Sequence, residues 1–498
     1  VAIDSSALSD GAQVAEVQWR DKKRYLWLMG LIAPTALFVM LPIVWAVNQA
    51  GWHTAAQLPL WIGPVLLYVL LPVLDLRFGP DGQNPPDEVM ERLENDKYYR
   101  YCTYVYIPFQ YASVILGAYL FTASNLSWLG FEGGLGWLGK IGVALSVGVL
   151  GGVGINTAHE MGHKRDSLER WLSKITLAQT FYGHFYIEHN RGHHVRVATP
   201  EDPASARFGE TFWEFLPRSV FGSLRSSWEL EAQRLRRMNK SPWHWSNDVL
   251  NAWAMSVVFF GILIAVFGPA LIPFVIVQAI YGFSLLESVN YLEHYGLLRQ
   301  KTPSGRYERC APVHSWNSDH IVTNLFLYHL QRHSDHHANP TRRYQTLRSI
   351  DGAPNLPSGY ATLIGLTYLP PLWRKLMDHR VLEHYDGDIT RVNIQPRLRE
   401  KVLARYGVSD ERLREEPRAA DERLREEPRA ADERLREEPR AADERLREEP
   451  RAADERLREE PRAADERLRE EPRAADERLR EEPRAADERL REEPRAGA

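Results

Sequence analysis

Residues 136–164 read GWLGKIGVALSVGVLGGVGINTAHEMGHK. The stretch from Gly136 to Ile155 is apolar enough, and at about 20 residues long enough, to cross a bilayer as a helix. His159 and His163 follow four residues apart, so on a helix that continues the span they share one face. A membrane helix that ends in paired imidazoles sets the terms for the rest of the chain.

Five further runs have the same character: Tyr25 to Val47, Leu58 to Leu76, Tyr104 to Thr122, Val249 to Phe267 and Pro269 to Leu286. The first is too long for a signal peptide and carries Trp27 and Trp45 near its ends as interface anchors, so it is expected to remain in the membrane. Arg20, Lys22, Lys23 and Arg24 precede it, whereas 48–57 and 124–134 contain no Lys or Arg. By the positive-inside rule both termini are cytoplasmic, together with the segments Thr157 to Asp248 and Asn290 onward. The expected fold is all-α and integral to the membrane: a six-transmembrane-helix bundle with a helical, His-rich cytoplasmic cap.

The whole-chain averages, 44% hydrophobic with a net charge of −4, disguise this organisation. From Asp410 the eleven residues DERLREEPRAA recur in eight copies, the last ending in Ala496-Gly497-Ala498, leaving a tail of −8 and a body of +4. With one Leu and two Ala against seven charges, and a Pro in every copy, the tail has little to bury, and it is read as a solvated spacer. Three regions result: a cytoplasmic N-terminal segment (1–24), a six-span domain with its His clusters (25–409) and the repeat tail (410–498). Only Cys102 and Cys310 are present, so neither a disulfide framework nor a four-thiolate metal site can be built.

Of 17 His residues, nine gather around the cytoplasmic ends of the spans. His159 and His163 are joined by EHNRGHH at 188–194, with His189, His193 and His194. HSDHH at 333–337 supplies His333, His336 and His337, and NYLEHYG at 290–296 supplies His294. A lone imidazole is usually a surface or core residue, the reading given to His53, His244, His379 and His384. His294 alone would mean little, but eight in three helix-spaced clusters beside a membrane point to metal, and their number exceeds what one ion needs. Glu160, Glu188, Glu293 and Asp335 fit partners for the free imidazole N–H better than direct ligands.

At these residues the sequence resembles the integral-membrane alkane 1-monooxygenase family, within the membrane histidine-box desaturases and hydroxylases. The resemblance is carried by HEMGHK (159–164), EHNRGHH (188–194), NYLEHYGLLRQK (290–301) and LQRHSDHH (330–337), and it extends through NPPDEV (84–89), ATPEDPA (198–204) and HSWNSDHIVTN (314–324). It implies a di-iron cap in which two non-haem iron ions are held by His159, His163, His189, His193, His194, His294, His333, His336 and His337. It also implies dioxygen as co-substrate and terminal hydroxylation of medium or long n-alkanes to 1-alkanols. Electrons would come from a rubredoxin in trans, reduced by an NAD(P)H-dependent rubredoxin reductase, and the location would be a bacterial inner membrane. No nucleic-acid partner is expected.

An apolar substrate can reach the metal between helices, and Leu66, Leu67, Leu70, Phe283 and Leu286 are candidates to line an uncharged path. Lys164, Arg165, Arg191, Arg332, Arg342 and Arg343 could dock an acidic rubredoxin, although topology signals and salt bridges explain them equally well. The rival readings are a membrane fatty acyl desaturase, an intramembrane zinc metalloprotease using the HExxH stretch with Glu160 as base, and a metal transporter or sensor. The protease leaves the second and fourth His clusters idle, and a transporter needs polar residues inside its spans.

Overall fold

The computed structural model describes residues 19–408, so the first 18 residues and the repeat tail, with its spacer reading, lie outside the described residues. Among the described residues no β-strand forms, and the architecture is helical throughout. The first four long helices are α1 (Arg24–Gln49), α2 (Ala55–Phe78), α3 (Lys97–Thr122) and α4 (Trp137–Gly162). Between them and the last pair come α5 (Ser167–Leu177) and α6 (Phe212–Arg237). The pair itself is α7 (Asp248–Phe267) and α8 (Pro269–His294), a hairpin turned at Gly268, whose φ of +82° suits glycine. Among the described residues, helices α1, α2, α3, α4, α7 and α8 are the six long and apolar enough to cross a membrane.

The expected spans are all present, but α4 and α8 run further than hydropathy suggests, to Gly162 and His294. Polar residues there hide the helix from an apolar-length criterion while leaving its hydrogen-bond ladder intact. Outward faces stay apolar: Val257, Val258, Ile262 and Val266 of α7 are each about three-fifths exposed, a lipid-facing surface and not a soluble one. Starts are capped by side chains, Asp96 accepting from Tyr98 N at 2.9 Å on α3 and Asn247 from Val249 N at 2.9 Å on α7.

Helix α4 is the central strut, and glycines let its neighbours approach. A Cβ at Gly63 of α2 would stand 2.5 Å from Ser146 Cα, and one at Gly282 of α8 would stand 3.1 Å from Gly148 O. Such small-residue contacts are how helices pack where lipid removes the hydrophobic driving force.

One element departs from expectation. The stretch Thr157 to Asp248 does not stay at one end of the bundle: α5 turns back along α4. Ser173 Oγ donates to Ala158 O at 2.7 Å, and Thr180 packs against Gly151 and Gly282. The turn Ala178–Thr180 reaches Gln278 of α8, whose Nε2 donates to Gln179 O at 2.8 Å, 16 residues before His294. Helix α5 is short and carries Glu169, Arg170 and Lys174, so no hydropathy window marks it. Its charges are held by partners, Glu169 by Arg343 and Lys174 by Asp248 at 3.0 Å.

Candidate metal centre

The cap-side ends of α4 and α8 bring His159 and His294 to the same level, and three shorter segments close over them. His159 lies in the last turn of α4 and His163 is its C-cap residue, four apart on one face. The third segment is α9 (His333–Ala338), whose helical offsets send His333 and His337 one way and His336 another.

The remaining segment is not α-helical. Glu188–His193 is a π-helical turn, a form that recurs at functional sites. In an α-helix residues five apart are rotated by about 140°, whereas the wider π turn nearly superposes them. His189 and His194 therefore meet, Nε2 to Nε2 at 3.0 Å, while His193 is turned to the other side.

The nine imidazoles thus fall into two groups. His159, His163, His189, His194 and His336 form one, and His193, His294, His333 and His337 the other; in each, one ligand atom per residue lies within 4.8 Å of all the rest. Within the first, Nε2 of His336 is 2.9 Å from that of His159 and 3.1 Å from that of His194. Within the second, Nε2 of His333 is 2.9 Å from that of His337 and 3.3 Å from that of His294. Nitrogens bound at about 2.1 Å to one ion, at right angles, stand about 3 Å apart, so these spacings fit imidazoles that could share an ion. Nε2 of His163 and of His193 is buried with no protein partner, as a nitrogen reserved for a metal would be.

The electrostatics agree. Burial, reinforced by repulsion among the rings, holds His163, His189, His194, His333, His336 and His337 well below the ordinary imidazole range, in the neutral form that ligation requires. Each group could hold one ion.

The four acidic neighbours divide. Glu293 Oε2 lies 3.2 Å from His333 Nε2, the metal-facing nitrogen. The others face cations: Glu160 pairs with Lys164 at 2.9 Å, Glu188 with Arg196 at 2.6 Å and Asp335 with Arg342 at 2.7 Å. Burial pushes Glu188 up to about 7, against the pull of Ser226 and Arg196.

The carboxylate that does hold an imidazole was not singled out from sequence. Asp202 Oδ2 sits 2.9 Å from His193 Nδ1 and accepts from Ser205 Oγ at 2.6 Å. Burial alone would raise it, but attraction to His193 and these hydrogen bonds bring it down to about 2. Its signal was the ATPEDPA stretch, which begins four residues after His194.

Five of the six candidate docking cations are otherwise engaged. Lys164, Arg342 and Arg343 bind Glu160, Asp335 and Glu169, and Arg191 binds Glu231. Arg332 is 1% exposed and donates to Leu347 O at 2.7 Å and Asp81 O at 3.0 Å. Arg165 is exposed.

Beneath the centre a narrow apolar cavity of about 40 Å³ lies between α2, α4 and α8. Leu67 and Leu286 line it, with Val153, Asn156, Val289 and Leu330, and no charged side chain does. Of the other path candidates, Leu66 borders a separate small cavity against α1, Leu70 is 42% exposed on the outer face, and Phe283 stacks on Tyr182. One leucine per face explains the split: a helix can offer only part of its apolar circumference to any one cavity.

Residues 135–367 match the family model for fatty acid desaturases. The chain is 48% identical over 394 residues to an alkane 1-monooxygenase of Acinetobacter baylyi, covering 78% of this chain and 92% of that protein. It is 44% identical over 395 residues to an alkane 1-monooxygenase of Ectopseudomonas oleovorans, covering 79% and 94%. A xylene/toluene monooxygenase hydroxylase component of Pseudomonas putida is 28% identical over 363 residues, covering 71% and 90%.

Proposed function

The chain belongs to the alkane 1-monooxygenase family, and from that premise we propose that it hydroxylates the terminal methyl of medium or long n-alkanes to 1-alkanols. Two non-haem irons would occupy the five-His and four-His groups, with all nine imidazoles as ligands. Dioxygen is the co-substrate, and two electrons come from a rubredoxin in trans served by an NAD(P)H-dependent reductase. The observation that carries the reading is the pairing of two convergent imidazole groups with an uncharged cavity directly beneath them.

An unactivated methyl offers no acid, base or electrophile for a side chain to attack, so the iron pair supplies the dioxygen chemistry. The chain's own residues do the rest. Leu67, Leu286 and Val289 hold an alkane by apolar contact alone, which exposes one end of it to the His level and excludes water from its length. Asn156, one turn before His159, is tied by its Nδ2 to Leu327 O at 2.7 Å and closes the cavity toward the metal ligands. Asp202 fixes the His193 tautomer with Nε2 toward the metal. The protein is integral to the membrane; we place it in a bacterial inner membrane with the cap cytoplasmic, following the Lys/Arg distribution.

Conversion of n-octane and n-hexadecane by detergent-purified, iron-loaded protein with rubredoxin, reductase and NADH tests this directly, paired with iron and zinc counts. Two irons per chain and oxygen-dependent 1-alkanol are expected. One zinc per chain, or an unsaturated fatty acyl product without alkanol, would replace the reading by the protease or the desaturase.

A further inference from the structure

Outside the two imidazole groups, α8 carries another ionisable side chain at membrane depth. Glu287 is 1% exposed and forms no ion pair among the described residues. Such a group is costly inside a span and marks function by default. Its Oε1 accepts from the Tyr182 hydroxyl at 2.5 Å and its Oε2 from Asn290 Nδ2 at 3.4 Å, with Ser219 of α6 beside it and His193 within electrostatic reach, though no hydrogen bond or ion pair among the described residues joins His193 to it. Seven residues, two helical turns, separate Glu287 from His294, which places them on one face about 10 Å apart along the axis, with Asn290 between. Leu286 faces the substrate cavity, which Glu287 does not line.

A second, independent feature adjoins this pair. The re-entrant turn after α5 brings Gln179 beside Gln278 of α8 and His184 beside Trp253 of α7, while Ser256 of α7 is buried as well. Both side-chain amide atoms of Gln179, both ring nitrogens of His184, Gln278 Oε1 and Ser256 Oγ are enclosed, and no protein group satisfies them. The His184 ring lies 4.4 Å from that of Tyr182. Irregular backbone at this depth is tolerated where it is packed in protein or lines water, and buried polar atoms without protein partners are commonly satisfied by ordered water.

We propose that this seam is a file of ordered water that feeds protons to the metal centre, with Glu287 as its last donor and the Tyr182 hydroxyl orienting it. The inference rests on the hydroxylase reading. In that reaction R–CH3 + O2 + 2 H+ + 2 e− gives R–CH2OH + H2O: the O–O bond and one C–H bond break, and one C–O and three O–H bonds form. The external one-electron carrier supplies the electrons. Glu287 gives up a proton, is held as carboxylate by the Tyr182 and Asn290 donors, and is reprotonated from the water file.

Infrared spectroscopy of metal-free protein reads the resting donor without turnover. In the difference between wild type and Glu287→Gln, one protonated-carboxyl stretch should be lost while those of other buried carboxyls remain, and that same band should shift in Tyr182→Phe. In the iron-loaded enzyme, Glu287→Gln should keep its metal content and alkane KM while kcat falls about 100-fold, reductant is diverted to hydrogen peroxide and the solvent deuterium isotope effect changes. An identical carbonyl region in wild type and variant, or a variant with wild-type kcat and isotope effect, overturns the proposal. Should Glu287→Gln not fold, Tyr182→Phe decides alone, an unshifted band or unchanged coupling refuting the relay. A wild type that makes no alkanol sinks the hydroxylase reading, and the infrared comparison still reports on the donor.

Discussion

Asp202 shows what one residue contributes to a site built from many. Its carboxylate turns His193 Nδ1 into the donor and leaves Nε2 for the metal, so Asp202→Asn should cost 10- to 100-fold in affinity at the four-His group, read as iron per chain after dialysis, while the fold survives. Gly192 is constrained differently: a Cβ there would stand 2.5 Å from the Glu188 carboxylate, which Arg196 holds in place. Gly192→Ala should destabilise by about 1–3 kcal/mol, measured as a lowered Tm of the metal-free protein. Eight of the imidazoles were legible because clustering of costly groups is visible in one dimension, whereas His294, alone in its stretch, was legible only through the family resemblance. Asp202 was not, because an acid in a loop looks the same whether it faces water or a ring. The cations near the clusters left docking and salt bridges equally open in the sequence, and the structure sets Glu160 opposite Lys164 and Glu169 opposite Arg343, partners that sequence spacing alone reveals for the first pair only.

The elements were legible where apolar length alone defines them, as in α1, α2 and α7, and illegible where polar residues continue a helix or bend it. The π turn at Glu188–His193 is the clearest case, since spacing of four and five would be read on an α-helix as one shared side. Deleting Asn190 from it should close the turn to α-helical register with His189 and His194 four apart and still on one face, so their pairing and metal binding at the five-His group should survive, which metal analysis of the variant would check. Close packing sets a second constraint between elements. Gly63→Ala would drive a methyl into Ser146 Cα and pry α2 from α4, and detergent-solubilised yield and Tm should both fall. Helix α5 escaped notice because its membrane-depth position depends on Arg343 and Asp248, partners that are 174 and 74 residues away in sequence.

At the scale of the whole molecule, cavity and centre act as one device. Val289→Phe fills the cavity wall between α8 and its neighbours, so turnover of n-hexadecane should drop at least about tenfold relative to n-octane in a competition assay. The pH response follows from the buried rings. Their folded-state values lie below the unfolded value of about 6.5, so above that pH both states are neutral and stability is unaffected. Below it the unfolded chain binds more protons, and metal-free protein should lose stability steadily as pH falls, which melting curves between about pH 8 and pH 5 would record. The division of ligands also dictates a calendar for biosynthesis. The five-His group draws on residues from His159 to His336 and the four-His group on residues from His193 to His337, so neither is complete until α9 has left the ribosome and α8 has been inserted. A chain arrested before residue 333 would hold six of the nine imidazoles and no finished site, which would make metal loading the last event of maturation and a seal on a correctly threaded bundle.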